Sequence, residues 1–191
     1  MCLPAKSSAI QRLKATYQNI AKVACMRSLS PRKLALATIF GVIVFIFETV
    51  LPTPIDKAFT VIQAMLLSLG YLLLGVPGAT YISLIGGSLT GLWRTSLAPF
   101  TIAFALLYGL SIDALSWVLK ARGVEGDVRE RNLIAAVTLS TIIVGLASYF
   151  TAVIFALLPR NLLMEIAILA LGVVSGMIGG HLSIVIWKKI S

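Results

Sequence analysis

Six long apolar segments constrain this chain more than any other feature of its sequence. They are residues 34–51, 58–75, 79–93, 97–119, 132–158 and 162–187. An α-helix needs about 20 apolar residues to cross the roughly 30 Å hydrocarbon core of a bilayer. The segments fill most of the 191 residues, of which only 12% are charged. The sequence therefore predicts an all-α, polytopic membrane protein in which six transmembrane helices form one compact bundle over residues 34–191.

The lysine and arginine residues divide unevenly between the two ends of the predicted helices. Seven precede the first segment, four lie in residues 120–131 and two follow the last segment; the other three are Lys57, Arg94 and Arg160. Cytoplasmic loops of membrane proteins carry the excess of positive charge. Both termini are therefore predicted to be cytoplasmic. This orientation accounts for the net charge of +9, and we expect no nucleic-acid partner.

Residues 1–33 are predicted to be a basic amphipathic segment on the cytoplasmic side. Apolar residues recur there at helical spacing, basic residues lie between them, and the segment contains no acidic residue. This composition is typical of a helix that lies on an anionic membrane surface. It also resembles an organellar transit peptide.

Small residues at every fourth position predict that the third and fourth segments pack closely. Ala79, Ser83, Gly87 and Gly91 share one face of the third segment, and the spacing continues in the fourth as Ala105, Gly109, Asp113 and Trp117. Such faces let helix backbones approach each other. A carboxylate within an apolar segment must face protein or water rather than lipid. Asp113 is therefore either a structural hydrogen-bonding group between helices or a proton or cation site.

The sequence contains none of the motifs that would indicate catalysis or a resident cofactor. With one histidine, the chain cannot form a two-histidine metal site. It has neither a Walker A loop nor a nucleophile elbow. We therefore predict a protein that is not an enzyme, with no catalytic residues, no metal and no cofactor bound by this chain.

Polar side chains from several segments are expected at the outer ends of the helices. A few polar groups in an apolar pocket between helices are typical of small-molecule sites. The same residues would also suit the ordinary polar rim of a membrane protein. The candidate substrate-binding residues are Glu48, Gln63, Trp93, Arg94, Tyr149, Asn161 and Glu165.

The layout of residues 30–191 resembles the substrate-binding S component of energy-coupling factor (ECF) vitamin transporters. Those proteins are similar in size, with six membrane spans, cytoplasmic termini and a basic N-terminal segment. The resemblance also rests on Ala37 and Gly41, four residues apart in the first segment. It further rests on the glycine-rich third segment and on a fourth with Pro99 near its start and Asp113 near its end.

The resemblance implies uptake of a vitamin or a related small micronutrient across the cell membrane. It implies that the substrate binds from outside, near the outer ends of spans four to six and the outer loops. Arg94 and Arg160 would suit an anionic group of such a ligand, and Trp93 and Tyr149 an aromatic ring. It also implies docking through Ala37 and Gly41 to a transmembrane coupling subunit, which joins two cytoplasmic ATPases that use ATP. From the residues alone, ordinary packing within the domain explains that pair equally well.

Two other functions remain compatible with the sequence. One is a structural or accessory membrane subunit without a ligand, whose glycine faces assemble with partner subunits. The other is a small ion-coupled permease that uses Asp113 and His181 as its titrating groups.

Overall fold

The computed structural model describes residues 31–50, 60–95, 98–122, 128–155 and 161–190. Within these residues it forms six helices. They are α1 (Pro31–Val50), α2 (Thr60–Leu74), α3 (Gly78–Trp93), α4 (Ala98–Val118), α5 (Glu130–Ile154) and α6 (Leu162–Ile190). From Ala35 onward the chain belongs to one compact unit. The predicted amphipathic segment before Pro31 lies outside the described residues.

Each of the six predicted apolar segments coincides with one helix, so the all-helical prediction is confirmed. Helices α4, α5 and α6 are long and apolar enough to cross a membrane, which indicates a membrane protein. Helices α2 and α3 have only 15 and 16 residues and are about 22 to 24 Å long. That all six helices cross the bilayer, with both termini cytoplasmic, stays a prediction.

Helix α2 is the central helix of the bundle. It contacts α3 and α6 along its sides and touches α4 and α5 as well. Nine of its 15 residues are buried, including Leu67, Ser68 and Leu72. The other contacts run from α3 to α4, from α4 to α5 and from α5 to α6, so these helices enclose α2. A short helix that is apolar on every side suits this central position, because neighbouring helices cover most of its surface.

A tight turn joins α2 to α3 and sets them antiparallel. Gly75 has a φ of 77°, in the left-handed region that favours glycine, and the Val76–Pro77 peptide bond is cis. A Cβ at Gly78 would lie 2.6 Å from the carbonyl oxygen of Gly70. The close start of α3 against α2 therefore requires glycine at this position.

The small-residue faces of α3 and α4 pack directly against each other, as the spacing predicted. A Cβ at Gly109 would lie 2.7 Å from the carbonyl oxygen of Ala79, and one at Gly87 would overlap the Ala105 methyl group. The face ends before Trp117, which is 69% exposed. The four-residue spacing therefore predicted the packing face correctly up to Asp113, and the last position turns away from α3.

Helix α6 uses glycines to approach two neighbours at once. A Cβ at Gly176 would lie 2.5 Å from the Cα atom of Thr138 on α5. One at Gly179 would lie 2.9 Å from the carbonyl oxygen of Val61 on α2. The hydroxyl of Thr141 donates a hydrogen bond to the Gly172 carbonyl across the first of these contacts, at 2.7 Å. The glycine repeat of α6 is thus explained by packing between helices.

Side-chain contacts define two ends of the bundle. At one end Asn132 donates to the Leu119 carbonyl at 2.6 Å, and Lys188 forms an ion pair with Glu130. We call it the Asp113 end, because Asp113 lies there near the start of α3. At the opposite end, which we call the Glu48 end, the last turn of α1 meets the start of α2.

We expect Gly176→Ala to lower the free energy of unfolding by about 1–3 kcal/mol, because the added methyl group overlaps the backbone of α5. Gly172→Ala is the matched control, since it lies one turn away and its nearest neighbour would be at 3.5 Å. That variant should be neutral or more stable by up to about 1 kcal/mol. Thermal unfolding of both variants in the same detergent tests this. Equal melting temperatures would contradict the packing described.

Candidate functional site

The carboxylate of Glu48 connects three helices at the Glu48 end. Its Oε1 accepts a hydrogen bond from Gln63 Nε2 of α2 at 2.8 Å. Its Oε2 accepts one from the Thr90 hydroxyl of α3, also at 2.8 Å. Glu48 itself lies in the last turn of α1, so one side chain joins α1, α2 and α3.

Arg94 closes the same group of residues from the end of α3. Its Nη2 donates a hydrogen bond of 2.9 Å to the backbone carbonyl of Glu48. The guanidinium is exposed, whereas the carboxylate of Glu48 is half-buried beneath it. We call Glu48, Gln63, Thr90 and Arg94 the Glu48 cluster. It combines an anionic acceptor, an amide, a hydroxyl and an accessible cation within a few ångströms.

Thr90 is the member of this cluster that the sequence did not reveal. It is 2% exposed and also donates to the Gly86 carbonyl at 3.0 Å. The sequence feature that could have indicated Thr90 is its position beside Gly91 on the small-residue side of α3, four residues after Gly86. Threonine often bonds to its own helix in such segments, so nothing in the sequence pairs Thr90 with Glu48.

Tyr149 and Asn161 form a second polar group, between α5 and the start of α6. The Asn161 backbone N–H donates to the Tyr149 hydroxyl at 3.0 Å, and that hydroxyl faces the Asn161 carbonyl at 3.3 Å. The side chain of Asn161 accepts from the Leu163 N–H at 3.0 Å. Asn161 therefore caps α6, in the manner typical of asparagine before a helix.

The remaining candidate residues lie near these two groups in the chain. Trp93 precedes Arg94 and is 70% exposed, so its indole faces outward at the rim of the bundle. Glu165 is half-buried in the first turn of α6. The structure therefore joins Glu48, Gln63 and Arg94 in one cluster, and Tyr149 with Asn161 in another.

Asp113 has the structural contacts that one of its two interpretations requires. Its Oδ1 accepts from the Ala79 N–H at 3.2 Å, and its Oδ2 accepts from the Thr80 N–H at 2.8 Å and the Thr80 hydroxyl at 2.6 Å. The side chain is 3% exposed. Pro77 at the start of α3 makes no side-chain capping bond, so α4 supplies the cap for α3 through Asp113.

Ala37 and Gly41 face the interior of the bundle. Ala37 is fully buried. A Cβ at Gly41 would lie 2.8 Å from the side chain of Ile85 and 3.2 Å from the backbone nitrogen of Gly86. In this conformation Gly41 packs against α3 of its own chain, and Ala37 is buried in the core of the bundle. A coupling subunit could reach these residues only if α1 moved away from α3.

His181 is exposed on α6, whereas Asp113 is buried on α4. The two residues proposed for an ion-coupled permease are thus in different environments. In the part of the chain that the structure describes, no group of three or more His, Cys, Asp or Glu side chains is arranged to hold a metal ion.

No model of a known protein family matches this chain, and no curated protein or solved structure matches it either.

We expect Asp113→Ala to lower the free energy of unfolding by about 2–3 kcal/mol, because it leaves buried donors without an acceptor. Asp113→Asn keeps one carbonyl oxygen and should cost less. Leu110→Ala is the control, since that side chain on the same helix is 58% exposed and its removal should change stability by less than about 0.5 kcal/mol. Chemical denaturation in detergent measures all three. An effect of Asp113→Ala no larger than that of the control would contradict the capping role.

Proposed function

We propose that this chain is the membrane-embedded substrate-binding subunit of an ECF-type importer, which captures a vitamin or a related small micronutrient from outside the cell. The observation that supports this function is the Glu48 cluster. It brings polar groups from α1, α2 and α3 together at the end of the bundle opposite the basic loops. An apolar helix bundle with a few convergent polar groups is a usual setting for a small-molecule site.

The chemistry of the cluster favours a ligand with an anionic group and hydrogen-bonding polar atoms. The guanidinium of Arg94 is accessible to a carboxylate or phosphate, because the side chain is exposed and its bond to the Glu48 carbonyl is made through Nη2. Glu48 and Gln63 lie directly behind it. Trp93, at the rim, offers an aromatic face to a planar ring.

On this proposal the chain is not an enzyme and binds no cofactor. Energy comes from ATP, hydrolysed by two cytoplasmic ATPases that a transmembrane coupling subunit connects to this protein in the cell membrane. The accessory-subunit and ion-coupled alternatives remain. The ion-coupled alternative uses Asp113 as a titrating group, but the three hydrogen-bond donors around its carboxylate favour a structural role.

Ligand identification on the purified protein tests the proposal first. A detergent-solubilised sample is denatured and searched by mass spectrometry for a small molecule that co-purifies. The compound is then titrated back to the Trp117→Phe/Trp187→Phe double variant, in which Trp93 is the only tryptophan. We expect one molecule per chain to change the fluorescence of Trp93. A protein that is empty and fails to bind a panel of vitamins and their precursors would favour the accessory subunit.

Substitutions in the Glu48 cluster should weaken this binding selectively. We expect Arg94→Gln and Glu48→Gln each to raise the dissociation constant at least tenfold, or about 1.4 kcal/mol. Arg129→Gln is the matched control, because Arg129 is an exposed arginine at the Asp113 end. The same titration measures all three variants. A ligand bound equally well by Arg94→Gln and Arg129→Gln would place the site elsewhere.

A further inference from the structure

A surface groove runs along α5 and is completed by one residue of α6. Its volume is about 380 Å³, and its walls include Arg131, Ile134, Thr138, Leu139, Ile142 and Met177. Every one of these side chains except Arg131 and Thr138 is fully apolar. The groove is open to the outside of the bundle rather than enclosed, and it lies away from the Glu48 cluster.

The length of the groove matches one leaflet of a bilayer. Arg131 and Ile142 are eleven residues apart on α5, which corresponds to about 16 Å along a helix. This is about half of the roughly 30 Å hydrocarbon thickness. A groove that begins at the interface beside Arg131 would therefore end near the middle of the membrane.

Among the residues that the structure describes, the charged groups beside the groove lie at its Arg131 end. Arg131 is exposed in the first turn of α5, and Lys188 and Lys189 are exposed in the last turn of α6 beside it. Lys188 is paired with Glu130. His181, one turn beyond the groove residue Met177, is exposed on α6 and within electrostatic reach of Glu130.

We propose that this groove binds an anionic phospholipid, with one acyl chain along α5 and the headgroup phosphate against Arg131. The charge complementarity favours this occupant, because an anionic headgroup needs cations at the interface and the acyl chain needs an apolar wall below them. A lipid bound in this way also brings its phosphate near the exposed His181. Without it, His181 would face hydrocarbon alone, where an ionisable group is costly. A second membrane helix would cross the full bilayer and would not need charge at one end.

Native mass spectrometry of the full chain in detergent tests the proposal. Phosphatidylglycerol and phosphatidylcholine with identical acyl chains are titrated separately, and the dissociation constant of the first bound lipid is measured. Arg131→Gln removes the headgroup contact, and Arg129→Gln is its control at the same end. Ala135→Phe fills the groove, which Ala135 lines. Ala114→Phe is its control on an exposed site of α4. Arg131 and Ala135 are exposed, so neither substitution disturbs the core.

We expect the unaltered chain to bind phosphatidylglycerol more tightly than phosphatidylcholine. Arg131→Gln should weaken phosphatidylglycerol about fivefold and phosphatidylcholine by less, because the choline cation of phosphatidylcholine offsets the charge of its phosphate, whereas Ala135→Phe should weaken both lipids. Neither control should have these effects. Equal affinity for the two lipids, or variants that match their controls, would overturn the proposal. So would a dimer of this chain that Ala135→Phe dissociates, because the groove would then belong to an interface between copies.

Discussion

The arrangement of α2, α3 and α4 depends on the hydrogen bonds that the Asp113 carboxylate accepts. Within an apolar environment the free N–H groups at a helix start must find partners in the protein. Helix α3 starts immediately after Pro77, which provides no cap of its own. Asp113 receives the N–H groups of Ala79 and Thr80. The α2–α3 hairpin is thereby fixed to α4, while glycine and alanine contacts align the rest of the two helices.

The Glu48 cluster also joins helices, at the opposite end of the bundle and through hydrogen bonds between side chains. Here a carboxylate on α1 accepts from side chains of α2 and α3, so the three helices are held together at this end. A half-buried anion with an exposed arginine beside it combines a fixed acceptor with a cation that remains open to the solvent side. Stability and a capacity to bind a small polar molecule are therefore compatible at this position.

The positions of the helices followed from the sequence because hydropathy and helix length are strong local signals. The packing of α3 on α4 followed as well, since small residues four apart mark a face that only a close neighbour can cover. The rotation of a helix beyond that face has no local signal. The sequence alone therefore does not predict that Trp117 turns outward, or that Gly41 packs against α3. The bond between Thr90 and Glu48 joins residues 42 apart and depends on three helices meeting.

Helix α2, enclosed by the other helices, has consequences for the order in which the bundle is built. A ribosome makes α1, α2 and α3 before the helices that will surround α2 on its remaining sides. Glu48, Gln63 and Thr90 all belong to these first three helices, so their polar groups can pair before the second half of the chain has been made. The cap on α3 differs, because Asp113 is near the end of α4. The side chains that join the first three helices can therefore form their hydrogen bonds early. The start of α3 is capped only after α4 has been made.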